Sequence, residues 1–166
     1  MERWQRINSA GVEDAREQLR VCCGAARWID GMLAARPFAS RDEALAAARS
    51  IWFALSPDDW REAFAHHPRI GDLESLARRF TPSGALSARE QSGVSGAAED
   101  VLVALLEGNR RYEERFGHIF IVCATGKSAE EMLALLRTRL ENAPDEELRI
   151  AAEEHAKICE LRLVSL

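Results

Sequence analysis

The chain has 166 residues, 47% hydrophobic and 30% charged, with a formal net charge of -5. That length suits a single domain burying roughly 70% of the surface its unfolded form exposes, and the composition excludes intrinsic disorder, a collagen-like repeat and a disulfide scaffold. The acidic balance, with basic residues spread along the chain, excludes a mainly electrostatic nucleic-acid binder, and no apolar run approaches the roughly 18 residues of a membrane span.

Taken in order, the predicted elements are helices at 11–22, 25–35, 41–55, 57–65, 73–79, 88–115, 129–140 and 145–164. Four of these starts carry their own signal, because a hydroxyl residue followed three positions later by glutamate, or by proline at once, satisfies the orphan N–H groups of a first turn. They are Ser40 with Glu43, Ser56 with Pro57, Ser87 with Glu90, and Ser128 with Glu131. Val101, Leu102, Leu105, Leu106 and Asn109 recur at helical spacing, as do Met132, Leu133, Leu136 and Leu140. Each helix therefore has one stripe to bury, and the fold class is all-α over one domain, residues 1–166. The run His118-Ile119-Phe120-Ile121-Val122-Cys123 has strand length and no second run to pair with. It reads as an extended buried segment whose backbone amides need partners, and a bound ligand can be one.

Lys127 and Lys157 are the only lysines, so nearly all of the 22 basic residues are arginine. Arginine's planar donors favour carboxylates and amide-rich small molecules, although nucleotide bias gives the same composition. Cys22, Cys23, Cys123 and Cys159 show no C-x-x-C spacing and read as reduced thiols. The start lacks the apolar stretch of a signal peptide and the tail lacks the Ser-Lys-Leu address, so a cytoplasmic location is expected.

Three places hold candidate chemistry. His67 precedes Pro68, which pushes its backbone away from helical geometry and fixes the direction of a side chain that titrates near neutrality. The plain structural alternative is a histidine in a tight loop. Ser87-Ala88-Arg89-Glu90-Gln91 is a capping box, yet a helix N-terminus with serine, glutamate and glutamine also offers a donor and acceptor set for a heterocycle. On the last predicted helix Leu148, Ala152, His155, Cys159 and Arg162 share one face. An arginine ending an apolar stripe must reach an anion, a carbonyl or water. The four histidines show no metal-ligand spacing, and there is no Walker loop, Rossmann fingerprint or nucleophile elbow, so neither a metal nor an organic cofactor is expected.

Together these pieces carry a resemblance. His67-Pro68-Arg69-Ile70-Gly71, Ser87-Ala88-Arg89-Glu90-Gln91, Phe116-Gly117-His118-Ile119-Phe120-Ile121-Val122-Cys123 and Lys157-Ile158-Cys159-Glu160-Leu161-Arg162-Leu163 resemble, in order and separation, the motifs of the 2-oxo-4-hydroxy-4-carboxy-5-ureidoimidazoline (OHCU) decarboxylases. The resemblance runs from about residue 7 to the end. It implies an all-helical, cofactor-independent enzyme of urate catabolism that yields S-allantoin and carbon dioxide from a small-molecule substrate, and it implies a homodimer. It implies catalytic roles for His67, Glu90 and Arg162, and substrate contacts at Pro68, at Ser87, Ala88, Arg89 and Gln91, and at the backbone of His118, Ile119, Phe120, Ile121 and Val122. Many members read Phe-Gly-Phe-Pro-Phe where this chain has Phe116-Gly117-His118-Ile119-Phe120. Backbone contacts would make that difference small. Two other readings stay open: a non-catalytic helical binding module, and a thiol-dependent peroxidase or reductase using Cys22 and Cys23.

Overall fold

Local signals in the chain account for where most helices begin. Ser40 Oγ accepts the Glu43 N–H at 3.1 Å while the Glu43 carboxylate accepts from the Ala39 N–H at 2.7 Å. Ser128 Oγ accepts the Glu131 N–H at 3.1 Å, and Ser56 forms a reciprocal box with Asp59 over a proline-led first turn. Each such cap contributes about 1 kcal/mol. The computed structural model describes residues 1–68, 74, 78, 80 and 95–166. Its helices among these are α1 (Arg3–Ser9), α2 (Val12–Cys22), α3 (Ala26–Ala35), α4 (Arg41–Phe53), α5 (Pro57–Ala65), α6 (Ser95–Phe116), α7 (Ala129–Leu140) and α8 (Pro144–Leu163).

No strand occurs among the described residues, so the all-α reading holds. Residues 119–124 adopt no regular structure, and Phe120 through Cys123 are buried, as expected for an extended segment between helices. Helix α1 has no counterpart among the predicted helices, because it opens without a hydroxyl residue. Its first turn is instead closed by Gln5 Oε1 accepting the Glu2 N–H at 2.8 Å. Of the predicted helix 73–79, only residues 74 and 78 are described, both helical, and the Ser87 cap with the first turns of helix 88–115 lies outside the described residues.

The chain divides into two compact units. The first comprises Met1–His67, Ile121–Cys123 and Leu148–Leu166. Here α1 to α4 pack each against the next, and tryptophan side chains join more distant pieces. Trp28 Nε1 donates to the Ala48 carbonyl at 3.0 Å, Trp52 Nε1 to the Ala152 carbonyl of α8 at 2.9 Å, and Trp60 Nε1 to the Trp52 carbonyl at 2.9 Å. Trp28 and Trp52 are buried and Trp60 is half-buried, and each indole N–H finds an acceptor. Arg3 Nη1 donates to the Arg162 carbonyl at 2.8 Å and ties α1 to the end of α8.

The second unit comprises Pro68–Phe120 and Ala124–Glu147. Its helices α6 and α7 meet closely where a Cβ on Gly108 would stand 2.5 Å from Leu136 Cδ2. One buried polar cluster crosses it. Tyr112 OH and Arg139 Nε both donate to Glu147 Oε1, at 2.5 and 2.6 Å, and Asn142 Nδ2 donates to Glu147 Oε2 at 3.0 Å. Arg139 also lies 4.5 Å over the Phe120 ring, so a buried guanidinium has both a carboxylate and a π face.

Candidate functional site

His67 stands at the end of α5, and three contacts fix that end within the first unit. Glu62 of α5 accepts the Ala26 N–H at 2.6 Å, placing a carboxylate at the positive end of α3. Trp60 is bonded to the last turn of α4. Gly24 lies against His66 so closely that a Cβ there would stand 2.3 Å from His66 Cγ. The chain then leaves the helix through two tight turns, His66 N–H to Ala63 carbonyl and His67 N–H to Phe64 carbonyl, each 3.2 Å. Pro68 follows, exposed, and prevents further helix. The His67 side chain is half-buried.

Beside it lies a residue that the sequence placed only on a core face. The His155 ring, fully buried on α8, stacks on Trp52 with centroids 4.4 Å apart and planes 19° apart. It meets His67 edge-on at 4.9 Å and 89°, with Phe64 at 5.8 Å. Neither His155 ring nitrogen has a hydrogen-bond partner among the described residues. Burial first, then the charges of His67 and Arg162, push its pKa down to about 3, so the imidazole is neutral near pH 7.

The expected face of α8 forms: Leu148, Ala152, His155 and Cys159 are buried, and Arg162 sits partly exposed at its end. Of the three partners open to it, Arg162 has taken a carbonyl, since Nη1 donates to Val21 at 3.1 Å. Val21 lies in the last turn of α2, whose carbonyls lack helical partners, so the guanidinium also meets the negative end of that helix.

Cys22, Cys23 and Cys159 surround this end of α8 within the same unit. Burial pushes the first two thiols up to about 11 and about 12, and Cys159 well up. All four cysteines are buried thiols outside any disulfide. A thiol held protonated and away from solvent is a poor nucleophile, which weighs against peroxidase or reductase chemistry at Cys22 and Cys23.

The remaining predicted residues divide into two sets. In the second unit, His118 packs on Tyr112 at 5.5 Å and Phe116 at 6.4 Å, with Nδ1 3.0 Å from the Ile119 carbonyl oxygen. Ile119 is half-buried and Phe120 buried; Ile121 and Val122, also buried, belong to the first unit. Ser87, Ala88, Arg89, Glu90 and Gln91 lie outside the described residues. No group of His, Cys, Asp and Glu arranged to hold a metal ion occurs among the described residues. No helix among them is long and apolar enough to cross a membrane.

Comparison with known proteins identifies the lineage. The family model for OHCU decarboxylase matches residues 8–164. The chain belongs to the OHCU decarboxylase family. Within it, the chain is 37% identical over 156 residues to the uric acid degradation bifunctional protein TTL of Arabidopsis thaliana, covering 93% of this chain and 48% of that protein. It thus spans about half the length of that relative. The OHCU decarboxylase of Amia calva is 34% identical over 133 residues, covering 77% of this chain and 73% of its own. A solved OHCU decarboxylase, crystallised in the presence of (S)-allantoin, superposes with a TM-score of 0.67 at 39% identity over 87% of this chain and 92% of that one. The OHCU decarboxylase fold is thus reached by this sequence with His67 and the buried α8 face both in the first unit.

Proposed function

We propose that this chain decarboxylates OHCU to (S)-allantoin and carbon dioxide in urate catabolism, with His67 transferring the proton. Family membership across residues 8–164 carries this reading, and the fixed, half-buried His67 at the end of α5 supports it. Loss of carbon dioxide leaves an electron pair on the carbon that bore the carboxylate. The adjacent ring C=N of the substrate accepts that pair, so the chemistry needs no external electron sink. The protein must hold the ring, exclude water and deliver one proton to one face.

In this reading His67 serves the hydroxyl-bearing centre and Glu90 orients the ring or the histidine. Ser87 and Gln91 complement the ureido and ring amides, with Pro68, Ala88, Arg89 and the 118–122 backbone completing the contacts. Arg162 would exchange its Val21 carbonyl for a ureido or ring carbonyl of the substrate. It is better used there than on the departing carboxylate, where it would stabilise charge that is about to vanish. The reading takes residues 1–166 as one functional domain, working in the cytoplasm as a homodimer; the four thiols, none in a disulfide, support a reducing compartment.

The test is to generate the unstable substrate from urate in situ and follow allantoin by circular dichroism. One enantiomer should appear faster than the spontaneous racemate. No acceleration and no enantiomeric excess would exclude the activity, and sedimentation velocity on the same sample tests the homodimer.

A further inference from the structure

We propose that His155 is a positioning residue for His67, a neutral imidazole whose ring nitrogen accepts the His67 N–H that does not face the substrate and so holds that ring and its tautomer in place. This rests on the assignment of proton transfer to His67.

The geometry supplies each requirement. A fully buried ring with two polar atoms lacking partners among the described residues is rare in a native core, and such groups mark places where something beyond packing is kept. The Trp52 stack at 4.4 Å holds one face of the ring, and Phe64 crowds it at 5.8 Å, so its freedom is rotation towards His67. Two imidazoles sharing an N–H···N bond of about 2.9 Å have centroids roughly 5 Å apart. The observed separation is 4.9 Å with the planes perpendicular, so small side-chain rotations bring the two rings into that bond.

A neutral imidazole can accept from one neighbour and donate to another, which no aliphatic or aromatic hydrocarbon at this position can do. When His67 is an imidazolium, one N–H donates to a His155 nitrogen and the other faces the substrate; once the second has delivered its proton, the neutral His67 ring keeps the N–H that His155 accepts. The surroundings keep His155 neutral throughout. Among the described residues, α4 presents Trp52 and α5 presents Phe64, neither titratable, and the charged or titratable neighbours acting on it are His67 and Arg162 of α8 itself. Both are positive when charged, so neither favours an imidazolium at 155.

The His155→Phe variant keeps the ring and its stack on Trp52 while removing both nitrogens. A purely structural His155 predicts a protein at least as stable with unchanged kinetics, because two unsatisfied polar atoms have left the core. A positioning His155 predicts the same or higher Tm together with a fall in kcat of about tenfold. KM should stay near the original value. The alkaline limb of the kcat profile should move to lower pH, since the His67 imidazolium that delivers the proton has lost its acceptor. His155→Asn or His155→Gln, which restore an amide oxygen and N–H, should recover part of kcat in at least one case, and the His67 ring resonances in NMR should titrate lower in His155→Phe than in the original chain.

Unchanged kcat and pH profile in His155→Phe would overturn the inference while leaving the decarboxylase reading intact. So would a fall in kcat accompanied by a matching loss of Tm. Absence of turnover in the original chain would remove both.

Discussion

His67 is the side chain on which the proposed chemistry turns, and its half-buried place after a fixed helix end gives a direct test. His67→Ala should lower the rate by about 10²-fold or more with little change in Tm, measured on substrate generated in situ. Near-normal turnover would remove the assignment. Glu147 poses the opposite case, a residue whose value is structural. Its carboxylate, 0% exposed, answers both Tyr112 and Arg139. Glu147→Leu would strand a buried guanidinium and should cost about 3–5 kcal/mol in urea denaturation. The sequence disclosed these two positions unequally. His67 was legible because proline after histidine is a local restraint. Arg139 was not, since it occupies the core stripe of Met132 and Leu136 and its partner lies in another helix.

At the scale of elements, the helix starts follow local rules while their approaches to one another do not. Ser40, Ser56 and Ser128 each cap as the spacing predicted, because a cap needs only atoms within one turn. Gly24 and Gly108 are glycines for contacts far along the chain. Gly108→Val should destabilise by about 1–3 kcal/mol, seen as a lower urea midpoint, because the branched side chain meets fully buried Leu136 where α6 and α7 touch. That cost outweighs the gain of about 0.4 kcal/mol by which valine exceeds glycine in helix propensity. Gly24→Ala carries a functional signature instead. Its methyl would displace the root of the His66 side chain, not its flexible end, and shift the turn that carries His67. Its kcat should fall by about tenfold or more, since small misplacements of a reacting group are costly, and circular dichroism should show the helices retained. Unchanged kcat in Gly24→Ala would show that the turn absorbs the added methyl.

For the molecule as a whole, the buried neutral His155 links stability to pH. Its folded pKa, near 3, lies below the ordinary value of 6.5, so between those limits the unfolded chain binds the extra proton and stability is lost as pH falls. Denaturation at pH 7 and pH 5 should differ by about 2 kcal/mol from this group, and His155→Phe should narrow the difference; an equal difference in both proteins would exclude this source. The sequence by itself determined the all-helical class, the caps at Ser40, Ser56 and Ser128, the non-helical 118–123 segment and the α8 face. Each depends on periodicity or on groups within a turn, which are written in residue order. Only the tertiary structure decided that Arg162 meets the open end of α2, that Glu147 neutralises Arg139, and that His155 lies against His67. Those pairings join groups remote in the chain, where burial makes an unpaired charge or polar atom costly and so governs which partner is reached.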